Sequence, residues 1–195
     1  MHLLIIGDSF AADWSVKYQE KQGWPNYLAD KYSVTNLAQA GCSEYKIKKQ
    51  LDLIKLKDYT HCIVTHTSPS RIPVEKNPLH YNDTLHHNCD FIYADVAESA
   101  NVEVTCVKEY YEKFYNESFY IYVYELIAQD IFSILQNAKI KTLHISFFDY
   151  PLRCLDFNYY KLFKKLPGDT NHLSEMGNKK VFISINQWLE SVEKI

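Results

Sequence analysis

The stretch His2-Leu3-Leu4-Ile5-Ile6-Gly7-Asp8-Ser9-Phe10 opens with an unbroken apolar run and ends at a glycine followed by two polar residues. A short continuous apolar run suits a strand buried on both faces, as in a parallel sheet. Working outward, further strands follow. Val34 to Leu37 reads as a second strand, His61 to Thr65 as a third and Thr142 to Phe148 as a fourth. Between them lie helical patterns. Pro25 suits the first turn of a helix over 25–32. Ile47, Leu51 and Ile54 recur at helical spacing. From Tyr110 to Gln136 an aromatic-rich segment reads as one helix, with Tyr120, Val123, Ile127, Ile131 and Ile134 near one stripe. Val181, Phe182, Ile185, Trp188, Leu189 and Val192 mark a terminal amphipathic helix.

This alternation predicts a three-layer α/β/α sandwich with a mostly parallel central sheet. The 195 residues suit one domain, 1–195, interrupted by an irregular insertion at about 68–106. Right-handed crossovers place all strand C-termini on one edge, where open α/β sheets carry their sites.

Composition narrows the class. The formal net charge of -3 gives no electrostatic footprint for nucleic acid. No apolar stretch approaches the ~20 residues of a membrane span. The five cysteines form no CxxC pair, and the N-terminus lacks a basic region before its short apolar run. Reduced thiols and a cytoplasmic location are the expectation.

Three polar clusters fall where the site belongs. Gly7-Asp8-Ser9 follows the first strand, Asn36 to Gly41 follows the second, and Asp169 to Ser174 precedes the last helix. Together GDSF at 7–10, NLAQAG at 36–41 and DTNHLSEMG at 169–177 resemble the blocks of the SGNH/GDSL hydrolase family, in the family's order. The resemblance frames almost the whole chain. It implies a flavodoxin-like sandwich and an ester hydrolase with Ser9 as nucleophile, His172 as base and Asp169 orienting the imidazole. It also implies that Ser9's counterpart opens a helix, and that the oxyanion hole takes the backbone N–H groups of Ser9 and Gly41.

The chemistry accounts for these residue types. A serine hydroxyl needs an adjacent base at neutral pH, and a base needs a partner that fixes its tautomer. Glycine lets backbone approach a substrate closely. No G-x-S-x-G elbow is present.

The family's third block carries an asparagine as a further oxyanion donor. Here the segment after the third strand reads Thr65-His66-Thr67-Ser68-Pro69-Ser70-Arg71. Either Thr67 or His66 replaces it, or the enzyme is slow, or the hole uses its two backbone donors only. Asp8, His66 and Arg71 are expected beside the substrate, with Arg71 either clamping an anionic group or forming a surface ion pair. Asp8 equally suits bonding to loop amides.

No cofactor is expected. In the insertion, His80, Asp83, His86, His87, Cys89 and Asp90 match no standard metal-ligand spacing, so no metal is expected either. The tyrosines at 110, 111, 115, 120, 122 and 124 fit sugar stacking or plain packing. The expected partner is a small acylated substrate or a glycan. Three readings stay open: hydrolysis of an ester such as a carbohydrate O-acetyl group, acyl transfer to a sugar by the same three residues, or a glycan- or protein-binding module with little turnover.

Overall fold

The computed structural model describes residues 1–16, 23–80, 82–168 and 172–193. Five strands form one sheet: β1 (His2–Gly7), β2 (Ser33–Asn36), β3 (His61–His66), β4 (Lys141–Ser146) and β5 (Phe157–Asn158). Their order is β2-β1-β3-β4-β5 and every pairing is parallel. The helices are α1 (Trp24–Ala29), α2 (Glu44–Gln50), α3 (Tyr93–Ala97), α4 (Thr105–Lys113), α5 (Glu117–Asn137), α6 (Tyr160–Lys165) and α7 (Glu175–Val192).

Successive side chains of a strand face opposite layers, and β1 shows why its run is apolar throughout. Leu3 and Ile5 join Trp24, Leu28, Val181, Ile185 and Leu189 from α1 and α7. Leu4 and Ile6 join Ile47, Ile131 and Leu135 from α2 and α5. Two separate cores therefore flank the sheet, as a three-layer sandwich requires. Neighbours β2 and β3 leave opposite edges of β1, so the crevice at the carboxyl ends of β1 and β3 is the topological switch point.

Three local readings are corrected. The segment 110–136 is not one helix: α4 ends at Lys113 and α5 starts afresh, with the Asn116 side chain accepting from Phe119 N–H as its cap. Between β4 and the last helix lie β5 and α6, whose few residues carry no clear period. Ser9 sits in a single helical turn closed by Ala11 and Ala12 N–H on the Asp8 carbonyl, and opens no helix among the described residues. Asp13 accepts from both Ser15 N–H and its hydroxyl, which competes with continuation.

The 68–106 stretch holds an antiparallel bridge between Ile72 and Phe91, then α3 and a short 3₁₀ turn at Val102–Val104. Among the described residues no helix is long and apolar enough to cross a membrane.

Candidate active site

The end of β1 is clamped before it reaches Ser9. Gln50 receives Gly7 N–H at 2.8 Å and donates to Gly7 O at 3.0 Å. A Cβ on Gly7 would lie 2.6 Å from Thr65 Cβ, so only glycine fits this crossing. Asp8 follows, fully buried, with Oδ1 accepting from Phe10 N–H at 3.0 Å. Burial raises its carboxyl to about 7, against the opposing pull of the Arg71 charge, the Phe10 amide and the Thr67 hydroxyl. Asp8 thus shapes the turn from beneath.

Ser9 itself is nearly buried. Trp14 donates its indole N–H to the Ser9 carbonyl at 2.8 Å. The same indole lies against the His172 imidazole, ring centroids 4.4 Å apart, and Phe10 flanks that imidazole at 5.0 Å. Residues from opposite ends of the chain thus share one aromatic wall.

His172 owes its place to the residues on either side of it. Leu173 is buried in the α7-side core and bridges Pro167, and Gly168 N–H donates to the His172 carbonyl. Ser174 then caps α7 by accepting from Gly177 N–H at 3.3 Å. The imidazole is left half-buried at the helix entrance. Asp169 lies outside the described residues.

Gly41 adopts the left-handed backbone, φ 72°, and a Cβ there would lie 2.6 Å from Cys89 Cβ. Its turn is braced from the insertion: the Gly41 carbonyl accepts from Asp90 N–H at 2.9 Å and from Arg71 Nη1 at 3.0 Å. The buried Asp90 carboxylate takes Ser43 N–H, Val74 N–H and the Lys46 ammonium. Among the described residues, the N–H groups of Ser9 and Gly41 take no part in the backbone hydrogen bonds tying these turns together. Amides in buried residues rarely lack acceptors, and oxyanion donors are one such case.

The residues after β3 stand differently from the expectation of substrate contact. His66 is fully buried: Nδ1 lies 2.7 Å from Glu44 Oε1 and Nε2 lies 2.9 Å from His144 Nδ1. It has no surface to offer a substrate. Burial disfavours its charged form, but Glu44 and Cys154 together more than offset this and raise the imidazole; burial and charged His66 together lower His144. Thr67 is also fully buried. Its hydroxyl accepts from Arg71 Nε at 3.2 Å. Arg71 is therefore a brace between Thr67 and Gly41 rather than a surface ion pair.

Sequence reasoning did not find Trp14, Gln50, Glu44, His144 or the Asp90 brace. Among the described residues, His66, His144 and Cys154 are grouped closely enough to hold a metal ion. In the insertion, Cys89 instead accepts from Asn77 Nδ2, and Asp83 closes a turn on Leu85 and His86 N–H. His86 reaches the edge of Trp14, with centroids 6.0 Å apart, while Leu85 packs with Ala12, Ala40 and Trp14. The insertion thus forms a wall of the site.

A cavity of about 360 Å³ adjoins the Gly41 turn, lined by Glu44, Arg71, Ile72, Phe119, Tyr120 and Tyr124 among others. Of the remaining tyrosines, Tyr111 donates to the Ser70 and Phe91 carbonyls, and Tyr115 stacks on Tyr120. Packing thus occupies much of that set.

No protein-family model matches the sequence, and no curated protein matches it. Solved structures do. A psychrotrophic esterase, EstA, from Pseudoalteromonas sp., determined inhibited by monoethylphosphonate, superposes with TM-score 0.54 at 14% identity, covering 97% of this chain and 98% of that one. A GDSL-like lipase from Bacteroides thetaiotaomicron superposes with TM-score 0.55 at 12% identity, over 98% of this chain and 88% of its own. On full-length superposition, the chain has the fold of the SGNH/GDSL hydrolases.

Proposed function

We propose that the protein is a serine ester hydrolase. Ser9 Oγ attacks the ester carbonyl while His172 takes its proton. The carbonyl oxygen becomes an oxyanion held by Ser9 and Gly41 N–H. The intermediate collapses as His172 returns the proton to the departing alcohol, leaving an acyl-Ser9 ester. Water then repeats the cycle and frees the acid. Asp169, three residues before His172 in the family's pattern, is assigned the orienting carboxylate.

The observation that carries this reading is the Trp14 indole, which bonds the Ser9 backbone and lies tilted against His172. The Ser9 and Gly41 amides, left out of the turn bonding, support it from the other side. The known esterase fold supports ester chemistry in general. With Thr67 fully buried and its hydroxyl accepting from Arg71, the hole relies on its two amides. One missing side-chain donor costs roughly 100- to 1000-fold in rate, so turnover should be slow.

For the substrate we propose a small O-acyl ester, with an O-acetylated carbohydrate as the first class to try. Tyr120 and Phe119 line the cavity beside Gly41. Hydrolysis of p-nitrophenyl acetate, with and without added sugars, tests both points. Nitrophenol and acetate should appear without sugar, and Ser9→Ala or His172→Ala should lower the rate by about 10⁴-fold or more. An acylated sugar formed while water yields no acetate would replace hydrolysis by transfer. Unchanged turnover in either variant would overturn the assignment.

A further inference from the structure

We propose that His66, His144 and Cys154 bind one zinc-class divalent cation in a site behind the Ser9 edge of the sheet. The three come from the end of β3, the middle of β4 and the loop before β5. One ligand atom from each lies within 4.8 Å of the others. His66 Nε2 is 2.9 Å from His144 Nδ1 and 3.9 Å from Cys154 Sγ. Two nitrogens on one tetrahedral zinc, each at about 2.0–2.1 Å, sit roughly 3.3 Å apart. The imidazoles need to separate by only a few tenths of an ångström.

Two imidazoles and a thiolate form a borderline-soft donor set, which selects zinc over magnesium or calcium. A second, independent feature points the same way. Glu44 Oε1, 2.7 Å from His66 Nδ1, accepts the proton there, so that metal binding displaces the Nε2 proton and Nε2 faces the cluster. This carboxylate–imidazole arrangement recurs behind metal-bound histidines.

The ligands are held in register. His144 N–H donates to Asp156 Oδ2 at 2.7 Å, and Asp156 N–H donates to the His144 carbonyl at 2.9 Å, fixing the Cys154 loop against β4. His66 and His144 are buried, whereas Cys154 is partly exposed and gives the ion a way in. Three protein ligands leave a fourth tetrahedral position for water. Bound there, the ion ties β3, β4 and the loop after β4 together just behind Thr67.

The probe is Co²⁺, then Zn²⁺, added to the full chain after reduction and chelator treatment. One equivalent of Co²⁺ should give a near-ultraviolet thiolate-to-cobalt band with the strong visible bands of a tetrahedral site, and Zn²⁺ should bleach both. Zn²⁺ should also raise the thermal midpoint. Cys154→Ser, at a partly exposed position, should remove the thiolate band and weaken Zn²⁺ binding by at least about 10-fold. Cys106→Ser, at the exposed thiol, should change neither. Absence of the band in the unaltered protein, or its persistence in Cys154→Ser, overturns the proposal. The readout needs no substrate and stands whether or not the hydrolase reading holds.

Discussion

Two histidines near one end of the sheet show how surroundings divide their work. His172 is half-buried, lies against two aromatic rings and stands at the entrance of α7 beside Ser9's neighbours. His66, at the end of β3, has no exposed surface and is fixed between a carboxylate and a second imidazole. A partly exposed imidazole suits a base. A sealed, hydrogen-bonded one suits structure or metal. Changes around His172 should therefore cost rate and little stability, while changes around His66 should do the reverse.

The strongest way to break that contrast is Glu44→Gln. Removing one partner of a buried ion pair typically costs about 3–5 kcal/mol. The unfolding free energy from denaturant titration should fall by that order, with esterase activity retained in the fraction still folded. Gly41→Ala comes next. Left-handed backbone costs a non-glycine residue roughly 1–2 kcal/mol, and the new Cβ meets Cys89. Displacing one oxyanion donor should lower kcat on p-nitrophenyl acetate by about 100- to 1000-fold.

Asp8→Asn sharpens the contrast through pH. Because folding raises the Asp8 carboxyl to about 7, the folded protein holds a proton that the unfolded chain has already released above about pH 4. That contribution to stability is complete below the unfolded value and is lost as pH rises through the folded value near 7. The variant lacks this loss, so its stability relative to wild type should rise by roughly 2–3 kcal/mol between about pH 5 and pH 8. Denaturant titrations at both values check it. Smallest is Trp14→Phe, which keeps a ring against His172 but removes the bond to the Ser9 carbonyl. One neutral hydrogen bond is worth about 1 kcal/mol, so stability and kcat should each shift by several-fold in equilibrium or rate.

The four longer strands were legible to within a residue or two: β1 and β3 carry continuous apolar runs, whereas β2 and β4 carry β-branched residues among polar ones. The aromatic segment 110–136 misled because Tyr and Phe continue across the break, and only Asn116 signals the new cap. β5 has two residues, both exposed, and offers no pattern. The site divides in the same way. Ser9, Gly41 and His172 stand in compact local motifs. The brace from Arg71 and Asp90 to Gly41 spans the insertion. The bonds from His66 to Glu44, His144 and Cys154 cross 22, 78 and 88 residues. No local spacing encodes partners that meet only after the strands align.

The most direct test of the account is covalent. A fluorophosphonate added to folded protein should place one adduct on Ser9, located by mass spectrometry of the digested chain, and Ser9→Ala and His172→Ala should block it. A folded protein that stays unlabelled, or a label that persists in Ser9→Ala, would contradict the assignment of Ser9 as nucleophile.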